Sequence, residues 1–183
     1  MSEATTRTVE PRLEQVVDWS AALWAGLVAG TVFLVLNLLV TPKALGGTAS
    51  VILAYLASPV LGKGVLAPPI EPSGGTIAIG LLTHFVLSIL FACLIAFLLH
   101  RWGLLIGVLG GAALGVAIYL VNVYTMTLFF PWFFNMKSTV FLLTHVAFGA
   151  VAGGVYEALE VEEFVLADDD DDEPAATPEE ATP

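Results

Sequence analysis

The chain has 183 residues, of which 57% are hydrophobic and 13% charged, with a formal net charge of −11 at pH 7. Soluble domains are nearer half apolar and about a quarter charged, so a soluble globular composition is excluded, and the acidic balance speaks against a nucleic-acid partner. The charge sits at the ends: between Trp19 and Tyr156 the charged residues are Lys43, Lys63, Glu71, Arg101 and Lys137.

Residues 1–18 form a polar N-terminal segment. The apolar run 19–41 follows, with Asn37 as its one strongly polar side chain. It is too long for the apolar core of a secretory signal and lacks a convincing cleavage site, so it reads as an uncleaved anchor. A bilayer core needs about 20 apolar residues of helix, and further runs of that length cover 76–99, 103–128 and 138–159. Lipid offers no partner to backbone N–H and C=O groups, so each run must be helical or part of a closed barrel. Barrel strands alternate over about 10 residues, whereas these runs are continuous. The predicted class is therefore an all-α membrane protein, with a four-helix transmembrane domain over 19–165.

Between the first two runs, the stretch 49–61 is apolar but too short to span, and Pro59 and Pro68-Pro69 punctuate the region. It predicts a short interfacial or re-entrant helix. The second and third runs are separated only by His100-Arg101-Trp102, which forces a tight antiparallel hairpin. The third connection, Phe129-Phe130-Pro131-Trp132-Phe133-Phe134, suits an aromatic belt at the membrane surface. After Ala167 comes the run Asp168 to Asp172 and a Pro/Ala/Thr/Glu segment, so 166–183 reads as a disordered acidic tail. The single cysteine, Cys93, can close no internal disulfide.

An even number of spans puts both termini and the His100–Trp102 hairpin on one side. Basic residues divide evenly, with Arg7, Arg12 and Arg101 against Lys43, Lys63 and Lys137. Arg101 lies in the shortest loop, where the positive-inside rule weighs most. The expectation is a multi-pass protein of the inner or plasma membrane with both termini cytoplasmic.

The spans resemble one another. Leu81-Leu82-Thr83-His84 matches Leu142-Leu143-Thr144-His145, and His84, Ser88 and Ala92 correspond to His145, Gly149 and Gly153. In the odd spans, Gly26, Gly30 and Asn37 correspond at one constant offset to Gly111, Gly115 and Asn122. Residues four apart share a helix face, and glycines at that spacing let helices approach closely in lipid. The pattern predicts a duplicated two-helix unit, its copies related by an axis along the membrane normal. Asn37, His84, Asn122 and His145, with Thr83 and Thr144, are expected to form one polar layer in the half of the membrane away from the termini.

Polar groups inside spans are costly and are candidate functional sites. Three roles fit. The layer could hold the interface between the two helix pairs. It could serve a small transporter, channel or accessory subunit handling an ion, proton or small solute. It could also supply two axial histidines to a non-covalent haem. Four spans are few for alternating access, so transport would call for a homo-oligomer or a membrane partner subunit. No cysteine-based metal site, phosphate loop, HExxH motif or Ser/His/Asp arrangement is present, so no enzyme activity, catalytic residue or metal is expected.

The stretch Thr83-His84-Phe85-Val86-Leu87-Ser88-Ile89-Leu90-Phe91-Ala92 resembles the second span of the YagU-like inner-membrane proteins, which carry a similar T-H-x-x-x-S-I-x-F-A pattern. Gly26-Leu27-Val28-Ala29-Gly30 resembles their first span, and Pro131-Trp132 followed by His145 their last loop and helix. The likeness covers 23–154. It implies a small multi-span inner-membrane protein and supplies no catalytic residues.

Overall fold

Polar caps mark where the apolar runs become helices. In the computed structural model, which describes residues 13–161 and 164–166, Asp18 accepts from the N–H groups of Ser20 and Ala21 at 2.9 and 3.0 Å and opens α1, Trp19–Leu39. Ser73 accepts from Thr76 N at 3.2 Å and opens α4, Gly74–Leu99. Ser138 accepts from Phe141 N at 3.1 Å and opens α6, Thr139–Leu159. Each cap satisfies amides that the first helical turn leaves unpaired. Between α1 and α4 lie a short helix α2, Thr41–Leu45, and the sub-span helix α3, Ala49–Leu61. The hairpin after α4 turns on Gly103, whose φ of 74° suits a residue without Cβ. It leads into α5, Gly103–Leu120, which continues through a wider π-type turn, Val121–Thr125, and a 3₁₀ turn, Met126–Leu128.

Four segments are long and apolar enough to cross a membrane: Trp19–Ala44, Gly74–Leu99, Gly103–Leu128 and Thr139–Leu159. Their outer faces carry exposed leucines such as Leu82, Leu90, Leu105, Leu109 and Leu143. In water that surface would be a liability, and in lipid it is the expected one. The expected spans 76–99 and 138–159 differ from α4 and α6 only at their N-terminal ends, where the serine caps fall.

The helices associate as two antiparallel pairs, α1 with α4 and α5 with α6, joined by α1 lying along α6. In the first pair, a Cβ placed on Gly26 would come within 2.6 Å of Ile89 Cα, and one on Gly30 within 2.8 Å of Ser88 Cβ. In the second, Cβ atoms on Gly111 and Gly115 would collide with the carbonyls of Gly149 and His145, and those on Gly149 and Gly153 with the carbonyls of Gly111 and Gly107. The matched residues of the two halves thus make matched contacts, and the second seam is the tighter because both helices carry glycine. The α1–α6 seam buries Ala21, Ala22, Ala25 and Ala29 with Phe148, Ala152 and Tyr156. By contrast, α4 and α5 touch sparsely beyond their shared turn.

Two features were not expected from sequence. Leu13–Gln15 (β1) and Phe164–Leu166 (β2) pair antiparallel, with Leu13 opposite Leu166. Residue 166, assigned above to a disordered tail, therefore belongs to a strand, and its partner lies in the segment read only as polar. Asp18 reinforces the junction, because its carboxylate also accepts from Val161 N at 3.3 Å and its N–H donates to Tyr156 Oη at 3.3 Å. Second, the aromatic connection is not purely a belt. Phe129 and Phe134 are exposed, but Trp132 Nε1 donates to Ser58 Oγ at 2.9 Å and Phe133 packs edge-on against Tyr55. The polar stretch 1–12 and the acidic tail from residue 167 onward lie outside the described residues.

Candidate functional site

The site lies at the end of the helix pairs remote from the β1–β2 junction. α3 and the aromatic connection lie across that end, α3 packing on Gly80, where a Cβ would fall 2.9 Å from Leu53 O. Beneath them is a chamber of about 470 Å³, within the range of small-molecule sites. α4 contributes Thr83, His84, Leu87, Ser88 and Phe91, and α5 with its continuation contributes Ile118, Val121, Asn122 and Met126. Phe33 of α1 and Phe141, His145 and Phe148 of α6 form the back wall, and Tyr55, Leu56, Pro59, Phe130 and Phe133 close the end. A smaller pocket of about 40 Å³ adjoins it and reaches Asn37 and Met136.

Both intramembrane histidines line the chamber. His84 Nε2 lies 2.9 Å from Gly30 O, a carbonyl, so this nitrogen carries the proton and donates. His145 Nδ1 lies 2.7 Å from Phe141 O and must likewise donate. Its Nε2 is then an acceptor, and Asn122 Nδ2 donates a hydrogen bond to it at 3.1 Å. In their neutral forms the two rings are thus opposite tautomers, His84 with its proton on Nε2 and His145 with its proton on Nδ1. Asn122 reaches His145 from the π-type turn, a feature that often accompanies functional sites.

These bonds run inside each helix pair, α4 to α1 and α5 to α6. The contact across the pairs is aromatic. Phe33 stacks on His84, with centroids 5.8 Å apart and planes at 18°, and stands edge-on to His145 at 4.8 Å and 84°. The expected polar layer is therefore brought together only in part. Asn37 is buried but bonds within its own chain end, to Phe33 O at 2.9 Å and Thr41 Oγ1 at 2.8 Å. Thr83 and Thr144 donate back to Ile79 O and Phe141 O on their own helices. Gly26, Gly30, Gly111, Gly115, Gly149 and Gly153 all lie in the helix seams. Sequence reading missed Phe33, which is one of several aromatics in apolar runs and carries no mark of its position.

A bis-histidine haem does not fit this arrangement. Two axial imidazoles must present free nitrogens to one iron from opposite sides. Here both nitrogens of His145 are engaged, His84 keeps only Nδ1 free, and the Phe33 ring contacts both imidazoles. No group of three or more His, Cys, Asp or Glu side chains able to hold a metal ion occurs among the described residues.

The fold and the site define a multi-span helical protein with an apolar, histidine-walled chamber. No protein-family model matches the chain, and no curated protein or solved structure is detectably similar to it.

Proposed function

We propose that this is a non-enzymatic membrane protein that holds a small, largely apolar molecule between its two helix pairs, with His84, Asn122 and His145 fixing the chamber walls. The observation that carries the reading is the chamber itself, about 470 Å³ bounded by both helix pairs and by both intramembrane histidines. A cavity of this size among tightly seamed helices forgoes packing contacts that a filled core would make. A bound molecule restores them. Handling of an ion or proton is the weaker form of the proposal, because no Asp, Glu, Lys or Arg is among the chamber residues. An inner or plasma membrane location with cytoplasmic termini belongs to the same proposal, supported by Arg101 in the shortest loop. Reporter fusions at residue 1 and at the loop 67–72 would test the orientation.

The chamber opens sideways between α4 and α5, where Leu87 and Val121 are 43% and 40% exposed. The purified protein in lipid nanodiscs should bind 1,3-di-isopropylbenzene saturably above protein-free nanodiscs. Leu87→Trp with Val121→Trp, which fill the opening from both sides, should abolish that binding while the protein remains folded. Binding that never exceeds the lipid background would refute the proposal and assign the space to lipid tails, a second copy or a partner subunit.

A further inference from the structure

We propose that the molecule held in the chamber is a neutral hydroxyl compound, a phenol or alcohol on an apolar body, recognised because the wall offers hydrogen-bond acceptors and almost no donors. This rests on the chamber being a binding site, and it follows from counting the protons in its wall. Ser88 Oγ donates to His84 O at 2.8 Å, and Thr83 Oγ1 to Ile79 O at 2.8 Å. Tyr55 Oη is directed at Trp132 O at 3.5 Å. His84 and His145 spend their ring protons on the carbonyls of Gly30 and Phe141. Each of these donors serves the backbone.

What is left over is mostly lone pairs. His84 Nδ1 and Asn122 Oδ1 have no hydrogen-bond partner among the described residues. Neither is among the fully enclosed unpartnered atoms, so both keep some accessible surface. The hydroxyl oxygens of Ser88 and Thr83 keep acceptor capacity as well. The single uncommitted wall donor is the second N–H of Asn122. A carboxylate, phosphate or quinone presents only acceptors and would meet lone pairs with lone pairs. An anion would also find no lysine or arginine, and a cation no carboxylate, among the chamber residues. An uncharged O–H matches the leftover acceptors, and the rings of Phe33, Phe91, Phe141 and Phe148 suit a flat or branched hydrocarbon body.

The test compares 2,6-di-isopropylphenol with its methyl ether, which differ by the O–H donor, in nanodiscs containing the full chain and corrected for partition into protein-free nanodiscs. The phenol should bind about 10-fold more tightly, the usual worth of a hydrogen bond to an otherwise unpaired acceptor. His84→Gln places an amide N–H where Nε2 stands, keeping the bond to Gly30 O while removing Nδ1. The phenol-to-ether affinity ratio of that variant should fall towards one, and reading the ratio cancels any general change in the chamber. Equal binding of phenol and ether by the unaltered protein would overturn the donor preference and leave the chamber reading intact. Failure of both, together with failure of 1,3-di-isopropylbenzene, would overturn the chamber reading itself.

Discussion

Adding one methyl group at Gly149 tests the account of how the second helix pair is held. The Cβ would collide with the carbonyl oxygen of Gly111 and lie 2.8 Å from both Gly111 C and Gly115 N. All three are backbone atoms of α5, so no side-chain rotation relieves the contact. The helices must separate, and separation loosens the neighbouring contacts at Gly107, Gly115 and Gly153 together. Overpacking of this kind costs about 1–3 kcal/mol, roughly a 5- to 150-fold fall in the folded-to-unfolded ratio. The isolated helix would gain up to about 1 kcal/mol from the same Gly→Ala change, so a net loss can come only from packing. Gly110→Ala on α5 is the control. Its Cβ meets the methyl groups of Leu99, 3.0 Å away at the end of a flexible side chain, so it should be neutral or slightly stabilising. Reversible unfolding in mixed micelles, or steric trapping in bicelles, reads both. Equal stability of Gly149→Ala and Gly110→Ala would refute the close-seam argument.

Three further expectations follow from the site and the chain ends. Asn122→Ala and His145→Ala should couple in a double-mutant cycle by about 0.6–2 kcal/mol, the range for interhelical hydrogen bonds in membranes; additive losses would show that the 3.1 Å contact contributes nothing. Phe33→Ala removes the ring that contacts both histidines and should cost about 2 kcal/mol, below the value for a fully buried phenylalanine because Phe33 is only half-buried; it should also raise the chamber's capacity for larger hydrocarbons, measured as bound probe per protein. At the junction of the termini, the N–H of Ala21 does most to hold the Asp18 carboxyl below the usual range, partial burial opposes it, and the N–H groups of Val161 and Ser20 add to it. A depressed carboxyl contributes stability above its unfolded value and loses it as pH falls through the folded one. Exchange at the Ser20, Ala21 and Val161 amides, corrected for intrinsic rates, should therefore stay slow at neutral pH and speed up below about pH 4. Asp18→Ala should exchange fast throughout, and unchanged protection in that variant would remove Asp18 from the junction.

Much of the helical layout was legible because lipid forces long apolar runs into helices, whereas the aspartate and serine caps that set their first residues are local features that apolar runs do not show. The seams were legible too, since glycines four apart leave little ambiguity about where backbones meet. The polar layer was only half legible. Helical spacing placed His145 and Asn122 at one depth, and they bond. Asn37 sits at a comparable depth but found a nearer partner in Thr41, across the break between α1 and α2, and depth alone does not choose between a neighbour one turn away and one on another helix. Phe33 went unnoticed for a related reason: its role comes from two helices converging on it, and an apolar residue in an apolar run gives no sign of that. The β1–β2 pair was hidden because three-residue strands are shorter than any periodicity that could reveal them.

The pairing of Leu13–Gln15 with Phe164–Leu166 brings the two ends of the membrane domain side by side. The described part of the chain is therefore nearly a closed ring, in which the His100–Trp102 turn and the β1–β2 junction both lie at the end of the helices away from the chamber. A circular permutant that begins at Gly103, passes through a short linker from the end of β2 to the start of β1, and ends at Trp102 would present α5–α6 before α1–α4 and keep every seam. Cut at the same turn without the linker, the two halves become separate chains of two spans each, able to reassemble through the α1–α6 face. One protein could thus be encoded in either order, or as two subunits, without altering the chamber.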